Sequence, residues 1–184
     1  MGAADGFFSR ELDRRGAAVT ALDYKPKQSS GFAIMEKLHG KSLTHMNTNI
    51  SNLSVLKLAP FDIVLFLGVL YHLLDPVRAL WDIRQLVKGD LWLESYIQDF
   101  SPGVPAARYF ERDTLGGDIT NFWAPNSECI ESMLRDAGFS VVATLILGDR
   151  ALYHARTADL GPHGNVKMNT AYGFLQVRQK YLPR

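Results

Sequence analysis

The chain has 184 residues, 47% of them hydrophobic and 21% charged, with a formal net charge of +1. This is enough for one domain with a substantial core, and it carries no global pull toward nucleic acid or an anionic membrane. The longest apolar runs fall short of the roughly 18 residues of a membrane span, the opening residues have acids and no apolar signal core, and the single Cys129 can make no intrachain disulfide, which fits a reducing cytoplasm.

Helical and strand patterns alternate along the chain. The stretch 7 to 15 reads as a helix closed by Gly16, and 18 to 22 as a short buried strand ending on Asp23. Residues 31 to 40 read as a helix and 43 to 47 as a strand. FDIVLFLG, 61 to 68, is the clearest strand, apolar on both faces as a central parallel strand must be. VRALWDIRQLVKG then places Val77, Leu80, Trp81, Ile83 and Leu86 on one helical side, and LWLESYI, 91 to 97, returns to strand. The region 98 to 124 has Pro, Gly and aromatics without periodicity, a length that suits a functional loop or disorder. Residues 127 to 139 form an amphipathic helix with Asn126 as its N-cap. VVATLIL and ALYHA then form an antiparallel pair across Gly148-Asp149-Arg150. Asn165 to Tyr181 reads as a helix or an ordered tail. The alternation predicts an α/β fold, a Rossmann-like and mostly parallel sheet with a C-terminal antiparallel hairpin. In such sheets ligands bind at the carboxyl ends of the strands.

Four features could carry chemistry, three of them at that rim. GAADG, Gly2 to Gly6, opens the first helix as G-x-A-x-G. Glycines there let a ligand approach the backbone, or mark no more than a flexible start. Asp23 falls close to the roughly 20-residue spacing at which an acid beyond a glycine loop grips a ribose; the bland alternative is a solvated acid at a strand end. The third is FLGVLYHLLDP, 66 to 76. Gly68 allows close backbone approach, Tyr71 offers a hydroxyl, and His72 is either a base or a structural imidazole holding the turn. Asp75 and Pro76 suit the N-cap and first position of the following helix. The aromatic segment 108 to 126, with Tyr109, Asn121 and Trp123 as its candidate acceptor-binding residues, suits a lid stacking on a planar substrate. Phe110 and Phe122 suit core packing equally well. No residues stand at metal-ligand spacing, and no triad or phosphate-loop signature occurs.

These residues resemble a family. GAADGFFSRELDRRGAAVTALDY is similar to the cofactor-binding opening of class I methyltransferases that use S-adenosylmethionine. FDIVLFLGVLYHLLDPVRALWDIRQLV and NFWAPNSECIESMLRDAGF resemble, more narrowly, the tRNA wobble-uridine methyltransferase-like family. The resemblance implies that Gly2, Ala4 and Gly6 line the methionine part of the cofactor and Asp23 holds the ribose. Asn49 and Ile50 would flank the adenine, and Leu67 and Gly68 would contact the cofactor through backbone. Tyr71 and Arg150 match positions that contact the carboxylate of carboxy-S-adenosylmethionine. Tyr71 and His72 are the catalytic candidates.

Against that family the chain opens at the glycine loop, so the central first strand and an upstream Lys- and Trp-bearing segment are expected to be missing. The methyltransferase domain would cover 1 to 156, incomplete at its N-terminus, with a tail over 157 to 184. Without another segment in the gap the sheet should be unstable. This favours S-adenosylmethionine over carboxy-S-adenosylmethionine and methyl transfer to a hydroxyl of a small molecule, sugar or modified tRNA uridine. No membrane partner is implied, and an oligomeric state is not readable. An inactive fragment, or a non-catalytic nucleoside-binding module, is the alternative; a Rossmann oxidoreductase lacks a second half-domain. The cofactor reading requires Asp23 and Tyr71 to open onto one hollow.

Overall fold

The computed structural model describes residues 1–159. Helices and strands alternate as the sequence predicts: α1 (Phe7–Arg14), β1 (Thr20–Asp23), α2 (Phe32–His39), β2 (Thr44–Asn47), β3 (Phe61–Leu67), α3 (Pro76–Arg84) and β4 (Val87–Tyr96). Then come β5 (Ala107–Tyr109), β6 (Trp123–Pro125), α4 (Ser127–Asp136), β7 (Phe139–Leu147) and β8 (Arg150–Thr157). The predicted C-terminal helix or tail lies outside the described residues.

The strands form two main groups. β1 and β2 pair in parallel. A second sheet runs in the order β3-β4-β8-β7, with β3 and β4 parallel and β8 and β7 antiparallel. Between β1 and β3 lies a slot. Met1 to Ala3 enter only its end: the Ala3 amide donates to Leu22 O at 3.2 Å, and the Met1 amino group donates to Leu65 O at 2.7 Å. Alternate bonding to left and right is how a residue of a middle strand behaves. The rest of the slot is part of a cavity of about 700 Å³ bordered by Thr20 to Leu22 and Phe61 to Leu65.

The core follows from period-two alternation. Val64, Phe66, Leu91, Leu93, Ala151 and Tyr153 all point to one face and are buried beneath α3 and α4. Tyr153 buries its ring fully and donates its hydroxyl to Ser127 Oγ at 3.0 Å; burial pushes its pKa up to about 12. Asp75 caps α3 by accepting from the Arg78 amide, with Pro76 at the first position, as expected.

Three expectations are corrected. The helix read through Gly89 stops at Arg84, and β4 begins at Val87. Gly89 sits against β3, where a Cβ would lie 2.7 Å from Asp62 O, so the chain has already joined the sheet there. Val77, placed on the core side by periodicity, is 39% exposed. β3 is not covered along its whole length: Asp62 and Ile63 are exposed where they border the 700 Å³ cavity.

The segment read as lacking periodicity, 98 to 124, runs into a short antiparallel ladder of β5 with β6 that ends at Pro125. Asn126 fixes it. Its fully buried Oδ1 accepts from the Ala106 and Cys129 amides, and its Nδ2 donates to Ser101 O and Val104 O. Asn126→Ala takes the partner from four backbone groups at once, all part-buried in their bonds to it. It is expected to cost about 2–4 kcal/mol in urea unfolding, more than the ~1 kcal/mol of an ordinary cap. Asn126→Asp, which keeps both acceptor bonds, should recover part of the loss. A cost under ~1 kcal/mol for the alanine variant would mean that water replaces the amide.

Candidate active site

The glycine loop, the end of β1 and the turn after β3 come together. Asp23 is 6% exposed, and both of its oxygens meet backbone amides: Oδ2 accepts from Ala4 N at 2.8 Å and Oδ1 from Lys25 N at 2.9 Å. The bond to Ala4 holds that residue at φ 47°, a conformation costly for any side chain. Each carboxylate oxygen keeps a second lone pair. Gly2, at φ 69°, abuts the turn: a Cβ there would collide with Val69 Cγ2. Gly6, at φ 85°, packs on Phe32 and Met35 of α2. Gly2 therefore answers a packing demand while bordering a cavity, whereas Gly6 is buried and answers a packing demand alone.

Asn49 and Ile50 lie just past β2. Asn49 accepts from the Ser51 amide and hydroxyl, capping the following turn, and Ile50 is a core residue packed with Leu53. The strand end that precedes them is tied to β1 by Thr48 N donating to Asp23 O.

At the tip of β3, Gly68 has φ 67° and its amide donates to Glu94 O at 3.0 Å. Arg150, at the start of β8, reaches the same point. Its Nε and Nη2 donate to the two Glu94 oxygens at 2.5 and 2.7 Å, and its Nη1 donates to the Tyr71 hydroxyl at 3.2 Å. The carboxylate raises the guanidinium pKa above its ordinary value. Arg150, expected as a free anion clamp, already has an internal anion. Glu94 was missed from the sequence, where it is an acid inside the strand LWLESY.

His72 is fixed by the aromatic segment. Its Nδ1 lies 3.0 Å from Thr120 O and 3.0 Å from Thr120 Oγ1. A carbonyl only accepts, and the Thr120 hydroxyl donates to Asp118 at 2.7 Å, so Nδ1 carries the proton. The Nε2 lone pair is then the basic one. Thr120 bonding also holds the Asp118 carboxyl below its usual range. The backbone repeats this link, Phe122 N donating to Tyr71 O at 3.0 Å.

Tyr109 and Trp123 face each other edge to face across the β5–β6 ladder at 5.1 Å. Asn121 donates to Leu115 O. Phe110 is buried and Phe122 half-buried. The segment is thus pinned rather than a free flap.

The predicted residues do not share one hollow: Asp23 borders neither the 700 Å³ cavity nor a smaller one, and Tyr71 borders only the smaller, so the expected opening of Asp23 and Tyr71 onto one hollow is not met by either. Gly2, Ala4, Leu67 and Gly68 line the 700 Å³ cavity together with Glu94. Tyr71 and Trp123 line a smaller, apolar one of about 280 Å³ beside Leu70 and Met133. The turn 67 to 71 runs between them. Among the described residues no cluster of three or more metal-ligating side chains occurs, and no helix is long and apolar enough to cross a membrane.

The chain is similar to known methyltransferases. Over 173 residues the chain is 26% identical to a tRNA U34 carboxymethyltransferase of Shewanella loihica, covering 89% of this chain and 49% of that protein. It is 26% identical over 149 residues to a ubiquinone biosynthesis O-methyltransferase of Cereibacter sphaeroides, covering 77% and 59%. The chain spans about half the length of the curated tRNA-modifying relatives it matches. Among solved structures, the Burkholderia thailandensis 1,6-didemethyltoxoflavin-N1-methyltransferase, with its substrate and S-adenosylhomocysteine bound, superposes with a TM-score of 0.65 at 19% identity, covering 86% of this chain and 69% of that one. That likeness establishes the Rossmann-like class I fold. A methyltransferase domain model matches residues 1–93, just over half the chain, and the protein accordingly belongs to the methyltransferase domain family.

Proposed function

We propose that the protein binds S-adenosylmethionine across the tips of β1 and β3 and transfers its methyl group to a hydroxyl of a small molecule, a sugar or a modified tRNA uridine. The observation that carries this reading is the Asp23 carboxylate, buried against the glycine loop with one lone pair of each oxygen still unused. Two adjacent ribose hydroxyls need such a pair of acceptors. The membership of residues 1–93 in the methyltransferase domain family supports it.

The cofactor supplies an electrophilic methyl carbon on a sulfonium. The chain supplies position and proton handling. Gly2 and Ala4 would bring backbone to the methionine part with Gly6 setting the loop's path against α2, Asn49 and Ile50 would border the adenine, and Leu67 and Gly68 would sit beneath the reacting end. Tyr71 accepts from Arg150, so its own hydroxyl proton is available to orient an acceptor oxygen. His72, with Nδ1 on Thr120, presents Nε2 as the base that removes the acceptor proton. Tyr109, Asn121 and Trp123 would border the acceptor on the far side of the turn. The pairing of Arg150 with Glu94 favours S-adenosylmethionine over carboxy-S-adenosylmethionine, because the guanidinium is not left as a free cation.

A non-catalytic nucleoside-binding module is the second reading, favoured by the separation of the two hollows. Titration calorimetry tests the first. S-adenosylhomocysteine should bind with a micromolar Kd, about −8 kcal/mol, and NAD should not. Binding of NAD alone, or of neither, would overturn the proposal.

A further inference from the structure

We infer that Glu94 is the positioning and charge-matching residue of the transfer site: it orients Arg150, and through it Tyr71, and it cancels the guanidinium charge that a cationic sulfonium would otherwise face. This rests on the proposed cofactor reading and adds a residue and a role to it. Glu94 stands on β4, opposite Leu67 of β3 and Leu152 of β8, in the middle of the sheet. Its main chain and side chain act on the same turn. The Glu94 carbonyl accepts from the Gly68 amide at 3.0 Å, while its carboxylate forks onto Arg150. The three polar groups converge on Gly68. A Cβ built there would lie 3.7 Å from Arg150 Nη2, 3.7 Å from Glu94 Oε2 and 4.0 Å from the Tyr71 hydroxyl.

The order of dependence follows from the bonds. Arg150 has a planar fork of five donors. Two are fixed by Glu94, which sets the plane of the guanidinium; a third then reaches Tyr71, whose ring also lies under the Arg150 carbon at 5.1 Å. Glu94 side-chain exposure is 24% and that of Arg150 is 37%, so water screens the pair only in part. An unpaired guanidinium at Gly68 would repel a positive sulfur placed over that glycine. With Glu94 in place the pair is neutral.

The test compares two ligands of nearly the same shape and different charge, S-adenosylmethionine and S-adenosylhomocysteine, by titration calorimetry on the full chain. In Glu94→Gln the preference for the sulfonium ligand over the thioether should fall by about tenfold relative to the unmodified protein. Glu94→Asp, which keeps the charge, should restore most of it. Arg150→Gln should shift the ratio the other way, and it reads the same charge balance even if the Glu94 variant does not fold. A merely structural Glu94 would weaken both ligands equally and leave the ratio unchanged in all three variants, which would overturn this role while leaving the cofactor reading intact. If the unmodified protein binds neither ligand, the cofactor reading falls and this role with it.

Discussion

Asp23→Ala should weaken S-adenosylhomocysteine binding by about 1.5–3 kcal/mol, roughly ten- to a hundredfold, in titration calorimetry. Two losses add. The ribose loses a charged acceptor pair, and the glycine loop loses the bond from Ala4 N that holds φ at 47°. The variant also leaves the Ala4 and Lys25 amides to bond water instead. Asp23→Asn separates the effects. Its carbonyl can still accept from one amide, so the loop is partly held while the charge is gone, and an intermediate affinity is expected. An affinity equal to that of the unmodified protein in the alanine variant would remove Asp23 from the site.

Phe66→Ala should lower the free energy of unfolding in urea by about 3–5 kcal/mol. Small domains have about 5–15 kcal/mol in total, so this threatens the folded state. Phe66 is fully buried, on the strand that ends in Leu67 and Gly68, and packs in the cluster with Leu80, Leu91 and Leu93. The cost combines lost transfer energy with a cavity the neighbours cannot fill. Leu147→Ala is the control: at 65% exposure it should change stability by less than about 0.5 kcal/mol. A Phe66 cost near 1 kcal/mol would mean that this face of β3 is not closed as described.

What could be read from the residues was what is local. β3 announces itself as an apolar run, and the β7–β8 hairpin by two strands around Gly148. The helices were placed by their caps and spacing, as at Asp75-Pro76 and Asn126. β4 was begun too late because Val87-Lys88-Gly89 reads as a helix end; only the approach of Gly89 to Asp62 O, across the sheet, makes it strand. The ladder of β5 with β6 was invisible for the same reason, since three residues a side have no period to detect. Asp23 and the glycine loop were legible by spacing. Glu94 was not, because the partner that gives it meaning is 56 residues away. One signal was present: Trp92, Glu94 and Tyr96 share the face of β4 opposite the buried Leu91 and Leu93, and a part-buried carboxylate between two aromatics needs a cation. The polarity of His72 was likewise beyond sequence, since it depends on Thr120, 48 residues on.

Burial of Tyr153 has a spectroscopic consequence. Its hydroxyl is held on Ser127 Oγ inside the core, and burial pushes its pKa up to about 12. In an alkaline absorbance titration this phenol ionises above the range of a tyrosine in water, so a late phenolate band reports opening of the core rather than simple proton loss.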